Sequence, residues 1–561
     1  MCGIFFSISR HKYVVPDAGT KQALQNRGPD SSGGYRILIP AEHDREQGPS
    51  LQLFATAFST VLSLRGTAVV KQPLQNDDTG SMLCWNGEAW SIQGHSDPVV
   101  GNDSQLVFDL LLQQTSSSLV LDRCSSVQRT AAILSAIRGP YAFVFYDAIN
   151  QYLYYGRDCL GRRSLLRKFS LEHDLILSSV CDNATGDQWE EVEADGINVI
   201  DLKRTSSEEP LTFTHIPHRR RNEVKPNELS FHLPFPAMNT TVESPSHPEA
   251  QHVQKLGEAL RRSLEARTQH VRESVNVDTE AKVAILFSGG LDCTVLARIC
   301  HDLLPPTEAI HLHNVAFQNP RIHSNLGENE SPYELCPDRV TGRSSYAELM
   351  RICPGRQWRF VEINVPYTAT VAHRSNVMAL MHPHNTEMDL SISYALYFAA
   401  RGYAMSQPHP EEIRVLLSGL GADELFGGYQ RHSLAFARRG YSGLIEELEL
   451  DFNRLGKRNL GRDDRVISNS GKEVRFPYLD EELISLALDL PVWAKCDFAN
   501  SQMADSEDPA RFLEPEKRLL RLLAWDLGMK GVAAEKKRAI QFGARTAKME
   551  AGRTKGTQVL S

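Results

Sequence analysis

A cysteine stands directly after the initiator methionine of this chain. Because Cys2 is a small residue, we expect Met1 to be removed, which leaves a free α-amino group on the cysteine. An α-amine with an unperturbed pKa of about 8 can serve as the base that activates a thiol. The start of the chain therefore carries a candidate nucleophile with its own base, although an early cysteine can also be an inert core residue.

A second candidate for chemistry begins where an apolar run ends. Val283–Phe287 predicts a buried strand, Ser288 to Asp292 form a glycine-rich turn, and a helical pattern follows at once. Such a strand-to-helix turn presents backbone N–H groups and a helix dipole to a phosphate. The Gly-Lys-Ser/Thr triplet of the Walker loop is missing, so the turn predicts another class of phosphate site.

The elements that must hold Cys2 are predicted to be short strands with helices between them. Strands are expected at Gly3–Ser9, Leu51–Phe58, Ser81–Trp85, Tyr141–Tyr146 and Tyr152–Tyr155, and helices at Gln105–Leu112 and Thr130–Ile137. The last two strands are expected to form a hairpin. This mixture is typical of a layered α+β domain.

The elements that must hold the glycine-rich turn show a different pattern of apolar segments. After Gln251, helix-length segments separate four short apolar runs: Val283–Phe287, Ile310–Phe317, Phe360–Val365 and Arg414–Leu417. This alternation indicates a parallel α/β sheet that is covered on both faces. Residues 216–250, between the two patterns, are rich in proline and polar residues and predict a linker. We therefore expect one domain at residues 2–215 and a second at 251–561.

The bulk composition excludes several classes of protein. The chain has 561 residues, of which 41% are hydrophobic and 23% charged, as in ordinary soluble proteins. A net charge of -8 is small for this length and argues against a nucleic-acid surface. No apolar run reaches the roughly 18–20 residues of a membrane span. The ten scattered cysteines indicate free thiols in a reducing compartment, so we expect a cytoplasmic protein with neither membrane nor nucleic-acid partners.

Five short motifs in the first half carry a resemblance to a known family. In chain order they are Cys2-Gly3-Ile4, Arg27-Gly28-Pro29-Asp30, Asn86-Gly87-Glu88, Gly101-Asn102-Asp103 and Gly156-Arg157-Asp158. Together they resemble the glutaminase domain of the amino-terminal cysteine amidotransferases, from Cys2 to about residue 180. The resemblance implies an amino-terminal nucleophile αββα fold and glutamine hydrolysis at Cys2.

These motifs supply a candidate glutamine site. Asn-Gly alone is a turn dipeptide, but here Asn86 and the N–H of Gly87 can form an oxyanion hole. Asp103 and Glu88 can hold the α-ammonium group of the substrate. Asp103 is the better candidate of the two.

One position departs from the family pattern. An arginine two residues before a serine usually binds the glutamine carboxylate, and Val61 stands there, before Ser63. Arg65 follows the serine by two residues, so on a strand it would project to the same face. We expect Arg65 to supply the missing charge.

The second half resembles the ATP pyrophosphatases at Ser288–Asp292 and the asparagine synthetases at residues 417–429 and 473–480. The resemblance implies Mg-ATP, with Asp292 and Asp423 as the Mg²⁺ ligands. The implied ATP-binding residues are Leu286, Ser288, Gly289, Gly290, Leu291, Asp292, Cys293, Phe317, Ser418, Gly419 and Lys537. Cys293 stands where serine is usual, and a thiol is a weaker donor than a hydroxyl.

Leu420 is the largest departure from the synthetase pattern, because the family has glutamate at this position. Leucine can neither accept a proton nor bind an ammonium group. Together with the segments 337–343 and 464–467, it indicates a divergent branch. The chain resembles the asparagine synthetase domain-containing proteins of eukaryotes over nearly its whole length.

The resemblance implies a three-step reaction: Cys2 releases ammonia from glutamine, the second domain adenylates a carboxylate, and ammonia displaces AMP. Aspartate is the first candidate for that acid, so the expected partners are glutamine, ATP and aspartate; a homodimer stays open. One alternative is a protein that has lost full catalysis and acts as a binding or regulatory module, which Val61, Cys293 and Leu420 favour. A third interpretation is an amidotransferase of another kind, although the phosphoribosyl and sugar-phosphate amidotransferases lack the Ser288–Asp292 loop.

Overall fold

The computed structural model describes residues 1–40, 52–115, 123–170, 172, 174–182, 188–204, 211–225, 229–243, 250–272, 281–327, 329–402, 413–499, 508–549 and 556–560. The chain forms two compact units. Unit 1 comprises Met1–Pro234, Ala379–His384 and Leu455–Lys472, and unit 2 comprises Phe235–Met378, Asn385–Arg454 and Glu473–Ser561. Two stretches from the second half of the sequence therefore belong to unit 1, which the sequence pattern does not predict.

The strands and helices are numbered in chain order. The strands are β1 (Gly3–Ser9), β2 (Ser31–Pro40), β3 (Gln52–Val61), β4 (Leu74–Gln75), β5 (Met82–Gly87), β6 (Ser91–Ile92), β7 (Ile137–Arg138), β8 (Tyr141–Asp147), β9 (Tyr152–Arg157), β10 (Leu166–Phe169), β11 (Leu175–Ser178), β12 (Glu190–Glu191), β13 (Gly196–Asp201), β14 (Thr214–Arg219), β15 (Phe231–His232), β16 (Val283–Leu286), β17 (Ile310–Phe317), β18 (Trp358–Val365), β19 (Val415–Leu417) and β20 (Glu473–Arg475). The helices are α1 (Ala18–Arg27), α2 (Asp103–Thr115), α3 (Arg123–Ala136), α4 (Ala250–Thr268), α5 (Leu291–Leu303), α6 (Pro337–Ile352), α7 (Tyr367–Ala372), α8 (Arg374–Met381), α9 (Glu387–Arg401), α10 (Ala422–Phe426), α11 (Gln430–Asn453), α12 (Leu455–Arg458), α13 (Leu460–Ser468), α14 (Glu481–Asp489), α15 (Val492–Lys495), α16 (Pro509–Phe512), α17 (Arg518–Asp526), α18 (Lys530–Ala534) and α19 (Ile540–Gly543).

Unit 1 is built on two large sheets. Their strand orders are β12-β10-β11-β1-β3-β2 and β15-β14-β13-β9-β8-β5-β4. The pairs run antiparallel except for β14 and β15, which are parallel. Helix α1 contacts β1 and β3, whereas α2 contacts β5 and α3 contacts β15. The unit thus has the helix–sheet–sheet–helix layers that the family resemblance implies.

Two apolar cores hold these layers together. Residues such as Ile4, Phe6 and Val144 form one core with side chains from both sheets. Trp85 and Phe108 belong to a second core, which the seven-stranded sheet shares with α2 and α3. Because β-strand side chains alternate between faces, the seven-stranded sheet contributes to both cores.

The predicted elements of unit 1 largely agree with those observed. β1 has the predicted bounds, and β8 and β9 pair as the expected hairpin. Leu51, where β3 was expected to begin, lies outside the described residues. Asn86 and Gly87 do not form a turn, since they are the last residues of β5 and pair with β8.

Unit 2 contains a parallel sheet with the order β18-β17-β16-β19-β20. All eight residues of β17 are buried. Because successive side chains point to opposite faces, the sheet is covered on both faces at this strand. The predicted α/β character of this half of the chain is therefore confirmed.

The proline-rich stretch predicted as a linker includes strand residues. β14 pairs with β13, and β15 pairs with β14, in the seven-stranded sheet. Residues 226–228 and 244–249 of the stretch lie outside the described residues, and the domain boundaries drawn from the sequence stay predictions. Among the described helices, none combines the length and apolar character needed to cross a membrane.

Candidate functional site

Cys2 lies just before β1 in unit 1 and is 9% exposed. Its carbonyl oxygen accepts a hydrogen bond from Nε of Arg27 at 3.3 Å. The side-chain amide of Gln72 lies with Nε2 3.9 Å from the cysteine Sγ. The thiol therefore has a side-chain amide of the same unit beside it, and the backbone of Cys2 is held by Arg27.

Gln72 connects Cys2 to strand β5. Its Oε1 accepts a hydrogen bond from the backbone N–H of Trp85 at 2.8 Å, which fixes the amide so that Nε2 points to the thiol. The indole of Trp85 donates to Oδ2 of Asp103 at 3.1 Å, and the same oxygen accepts from the N–H of Ala89 at 2.9 Å. The structure therefore brings Cys2, the Asn86 strand and Asp103 into one network.

The side-chain amide of Asn86, in the same strand as Trp85, has no hydrogen-bond partner within the described chain. It is fully buried, yet neither its Oδ1 nor its Nδ2 makes a hydrogen bond there. An unsatisfied buried amide costs roughly 1–3 kcal/mol. Gly87 beside it is tightly confined, because a β-carbon there would lie 2.6 Å from the carbonyl oxygen of Pro140.

Arg65 reaches the expected glutamine-binding residues, but not by the predicted geometry. Strand β3 ends at Val61, so the expectation that Arg65 projects from a strand on the same face is wrong. The guanidinium donates to the carbonyl oxygens of Ala89 (2.9 Å) and Val99, and lies 3.5 Å from Oε2 of Glu88. Arg65 is thus held by carbonyl oxygens beside a carboxylate.

Asp103 adds a second carboxylate to this group. Burial raises its pKa above the ordinary value, although Arg65 and the donors Ala89 and Trp85 act in the opposite direction. An ammonium group beside Asp103 would favour the ionised form of this carboxyl and so oppose the effect of burial. The cluster of Arg65, Glu88 and Asp103 therefore has the charges that suit an amino acid.

The sheet of unit 2 has a switch point between β16 and β19. The chain leaves β16 towards β17 on one side, and β19 later pairs with β16 on the other. Open α/β sheets bind ligands at the carboxyl ends of the strands at such a point. Ile285 pairs with Leu417, so the loops beginning at Phe287 and Ser418 leave the sheet side by side.

Glycines allow the first loop to pack closely against α6 and against the second loop. Gly289 has a φ of +80°, and a β-carbon there would lie 2.5 Å from the Cα of Gly342 on α6. A β-carbon on Gly419 would lie 2.9 Å from the β-carbon of Asp292. The N–H of Gly290 donates to Ser288 Oγ at 3.3 Å. The second loop therefore rests directly on the first turn of α5, where Asp292 is located.

Two lysines neutralise the predicted metal ligands. Nζ of Lys517 lies 2.6 Å from Asp292 Oδ2 and 2.6 Å from Asp423 Oδ1, and Nζ of Lys537 lies 2.7 Å from Asp423 Oδ2. Burial opposes ionisation of Asp423, but the two ammonium groups hold the pKa of its carboxyl well below the usual range. Both predicted aspartates and Lys537 thus meet at one point.

The donor set fits Mg²⁺ bound together with a nucleotide. Oδ1 of Asp292 is buried and has no hydrogen-bond partner among the described residues. Within the described ranges there is no cluster of three or more His, Cys, Asp or Glu side chains that could hold a metal. Mg²⁺ is typically held by one or two carboxylates together with water and substrate phosphates. Asp292 and Asp423 would hold the ion, and Lys517 would have to turn away.

The side chains of three other residues that were predicted to bind ATP form no described hydrogen bond or ion pair with the two predicted metal ligands or the two lysines. Cys293 is buried and donates through Sγ to the carbonyl oxygen of Gly290 at 3.3 Å, so it stabilises the turn itself. Phe317 is fully buried, and its N–H donates to the carbonyl oxygen of Ala544 at 3.1 Å. Leu286 is the partly buried last residue of β16. Contact of Phe317 and Leu286 with ATP stays a prediction.

Sequence reasoning missed Gln72 and Lys517. Gln72 belongs to no motif, and only the fold places it between Cys2 and Trp85. Lys517 precedes α17 and would be taken for a solvated charge, yet its side chain is 4% exposed. The pairing of Lys517 with two acidic motifs that are distant in sequence left no signal in a single sequence.

The match to the asparagine synthase family model covers residues 391–443 and 437–555. Asparagine synthetase domain-containing protein 1 of Bos taurus is 32% identical, over 95% of this chain and 93% of its own length. An asparagine synthetase domain-containing protein of Saccharomyces cerevisiae is 32% identical over 90% and 86% of the two chains. A putative glutamine-hydrolyzing asparagine synthetase of Methanocaldococcus jannaschii is 23% identical over 85% and 80%. With its two acidic motifs meeting at the switch point, the chain belongs to the asparagine synthetase-like family, alongside the asparagine synthetase domain-containing proteins.

Proposed function

We propose that this chain is a glutamine-dependent amidotransferase. Glutamine is hydrolysed at Cys2 in unit 1, and a carboxylate is adenylated with Mg-ATP and then amidated in unit 2. Aspartate, which would give asparagine, is the first candidate for the acceptor. Family membership supports the reaction class, since a more distant relative bears the name of a glutamine-hydrolyzing asparagine synthetase.

The observation that carries the proposal is the unpartnered amide of Asn86. It follows Trp85, whose backbone is joined to the Cys2 thiol through Gln72. Attack of the thiol on the glutamine amide carbon creates an oxyanion, which needs preorganised donors. Nδ2 of Asn86 is a buried donor without a protein partner in the described chain, so it is available for that oxygen.

The remaining chemistry of unit 1 follows from the charged cluster. The α-amine of Cys2 takes the thiol proton, and the thiolate attacks the amide carbon of glutamine. The protonated amine then returns the proton to the amide nitrogen, the C–N bond breaks, and a thioester forms while ammonia leaves. Water then releases glutamate and restores the thiol. In this proposal Arg65 attracts the substrate carboxylate, and Asp103 and Glu88 attract its ammonium group.

In unit 2 the residues at the switch point suit a nucleoside triphosphate. Mg²⁺ would supply charge neutralisation at the phosphates. The backbone N–H groups at the start of α5 can bind phosphate oxygens. Lys517 and Lys537 bring two ammonium groups to the same place, which suits the negative charge of departing pyrophosphate.

The test is a screen of the purified chain with glutamine, Mg-ATP and a panel of carboxylic acids. Formation of AMP and pyrophosphate with one acid, and not ADP and phosphate, is the expected result. AMP formation that requires no acid, or formation of ADP alone, would contradict carboxylate adenylation.

Leu420 favours the second candidate, a catalytically impaired protein that binds nucleotide or glutamine as a regulatory module. It is half-buried in the loop after β19, and its N–H donates to Ser418 Oγ at 3.3 Å. The leucine keeps the loop fold but provides no acid or base. A protein of this kind would bind ATP and form amide slowly.

Replacing Leu420 by glutamate separates the two candidates. General acid–base help is worth about 10²–10⁴-fold, so Leu420→Glu is expected to raise amide formation at least tenfold while ATP affinity changes much less. Leu420→Gln, which has a similar size and no charge, is the matched control and should give no increase. Brisk amide synthesis by the parent would show that another group supplies this role. No amide product from either protein would favour the regulatory module.

Replacing Asn86 by alanine tests the oxyanion site. Loss of one such donor is expected to lower the rate of glutamine hydrolysis by about 10²–10³-fold. Because the amide has no partner in the described chain, the free energy of unfolding should fall by less than about 1 kcal/mol. Asn314 is the control: its buried amide donates to Phe287 and Asp338, so Asn314→Ala should destabilise clearly. Strong destabilisation by Asn86→Ala with normal hydrolysis would contradict the assignment.

A further inference from the structure

Asp464 is a completely buried carboxylate on α13, distant in sequence from Cys2 but within unit 1. Its Oδ2 accepts hydrogen bonds from Arg27 at 2.9 Å and from the backbone N–H of Ser164 at 3.0 Å. Arg163 also lies 3.8 Å from its Oδ1. Separating Arg27 from Asp464 would leave an uncompensated charge in the interior, which is strongly destabilising. The position of the Arg27 guanidinium is therefore closely fixed.

Arg27 carries this constraint to Cys2. Its Nε donates to the carbonyl oxygen of Cys2 at 3.3 Å, and one terminal nitrogen donates to Ser468 Oγ at 2.5 Å. Ser468 Oγ in turn donates to the backbone carbonyl oxygen of Asp464 at 2.5 Å. The guanidinium is therefore held on one side by two residues of α13 and on the other by the nucleophilic residue.

The contact matters because Cys2 becomes the end of the chain when Met1 is removed. Chain termini fray unless they are tied down. A hydrogen bond to the Cys2 carbonyl oxygen limits rotation of the residue that carries both the reacting thiol and its proposed amine base. The relative placement of these two groups decides how readily the thiol loses its proton.

We propose that Asp464 is a positioning residue for the glutaminase site, acting on Cys2 through Arg27. The proposal rests on the glutaminase function proposed for Cys2. If Asp464 acts in this way, the reactivity of the Cys2 thiol depends on the segment Leu455–Lys472. In sequence this segment directly precedes β20, a strand of the parallel sheet in unit 2.

The test measures the labelling rate of Cys2 by a diazoketone analogue of glutamine as a function of pH. Asp464→Asn keeps the side-chain shape and removes the charge. It is expected to slow labelling at least about tenfold and to shift the pH profile. Glu191→Gln is the matched control, since this partly buried carboxylate of β12 pairs with Arg465, a neighbour of Asp464 on α13, and not with Arg27. The control should label like the parent.

A double variant shows whether Asp464 acts through Arg27. If it does, Arg27→Gln/Asp464→Asn should label no more slowly than Arg27→Gln alone. Normal labelling of folded Asp464→Asn, an unchanged pH profile, or additive effects of the two substitutions would overturn the proposal. If Asp464→Asn does not fold, Ser468→Ala should give a smaller loss in the same direction, and no loss would overturn it equally. Failure of the parent to label at Cys2 would instead overturn the glutaminase function itself.

Discussion

Cys2→Ala is expected to abolish glutamine hydrolysis while nucleotide binding persists. Loss of a nucleophile typically costs at least about 10³-fold in rate, because the remaining groups cannot form the covalent intermediate. The nucleotide residues Asp292 and Asp423 belong to unit 2, so their contacts are not part of the Cys2 network. Glutamate release and ATP affinity, measured on the same preparation, check the two halves of this result.

Selective labelling provides the control for the Cys2 variant. Burial raises the pKa of Cys84, Cys181, Cys300 and Cys496 to about 12, so these thiols carry little thiolate at neutral pH. Cys159 is half-buried and serves as an internal comparison. A glutamine-like electrophile should label Cys2 before any of these, and intact mass should show that Met1 is absent. An active alanine variant would remove the glutaminase assignment.

Asp292→Asn and Asp423→Asn should each weaken Mg-ATP binding by about 10- to 100-fold. Interactions of charged groups contribute roughly 1.5–3 kcal/mol, and about 1.4 kcal/mol corresponds to tenfold in affinity. The loss should be specific to the metal complex. When Mg²⁺ is chelated, each variant should bind ATP at least as well as the parent, because Lys517 then has one carboxylate fewer to neutralise it. Calorimetry with and without Mg²⁺ measures both effects.

Asp302→Asn is the matched control for the nucleotide site. Asp302 also lies on α5 but pairs with Arg261 and Arg298 on the exposed part of the helix. Its substitution should leave Mg-ATP affinity unchanged. Equal binding of Mg-ATP by the parent, Asp292→Asn and Asp423→Asn would show that the Ser288–Asp292 turn is not a nucleotide site.

Local patterns predicted much of the fold. The alternation of apolar runs and helices after Gln251 was sufficient for a parallel sheet, because strands buried on both faces must be apolar throughout. β17, a strand of that sheet, was predicted with its observed bounds, and so was β1, from its richness in strand-forming residues. Asn86 and Gly87 were correctly singled out as a motif, but only the pairing of β5 with β8 shows that they extend a strand.

Long-range pairing is what the sequence could not supply. The membership of Leu455–Lys472 in unit 1 depends on buried ion pairs such as Arg27–Asp464, whose partners are far apart in the chain. Arg65 illustrates the same limit, since the end of β3 at Val61 removed the periodicity on which its predicted direction rested. The role of Lys517 depends on its contacts with Asp292 and Asp423, and these three residues lie in segments that are far apart in the sequence.

Transfer of nitrogen from glutamine tests the central claim most directly. The chain would be incubated with amide-¹⁵N glutamine, Mg-ATP and aspartate, followed by the acids of the panel, and the products analysed by mass spectrometry. An amidotransferase should produce one ¹⁵N-labelled amide for each AMP formed, and Cys2→Ala should produce none unless ammonia is added. Hydrolysis of neither glutamine nor ATP, or AMP formation without ¹⁵N in any product, would contradict the account.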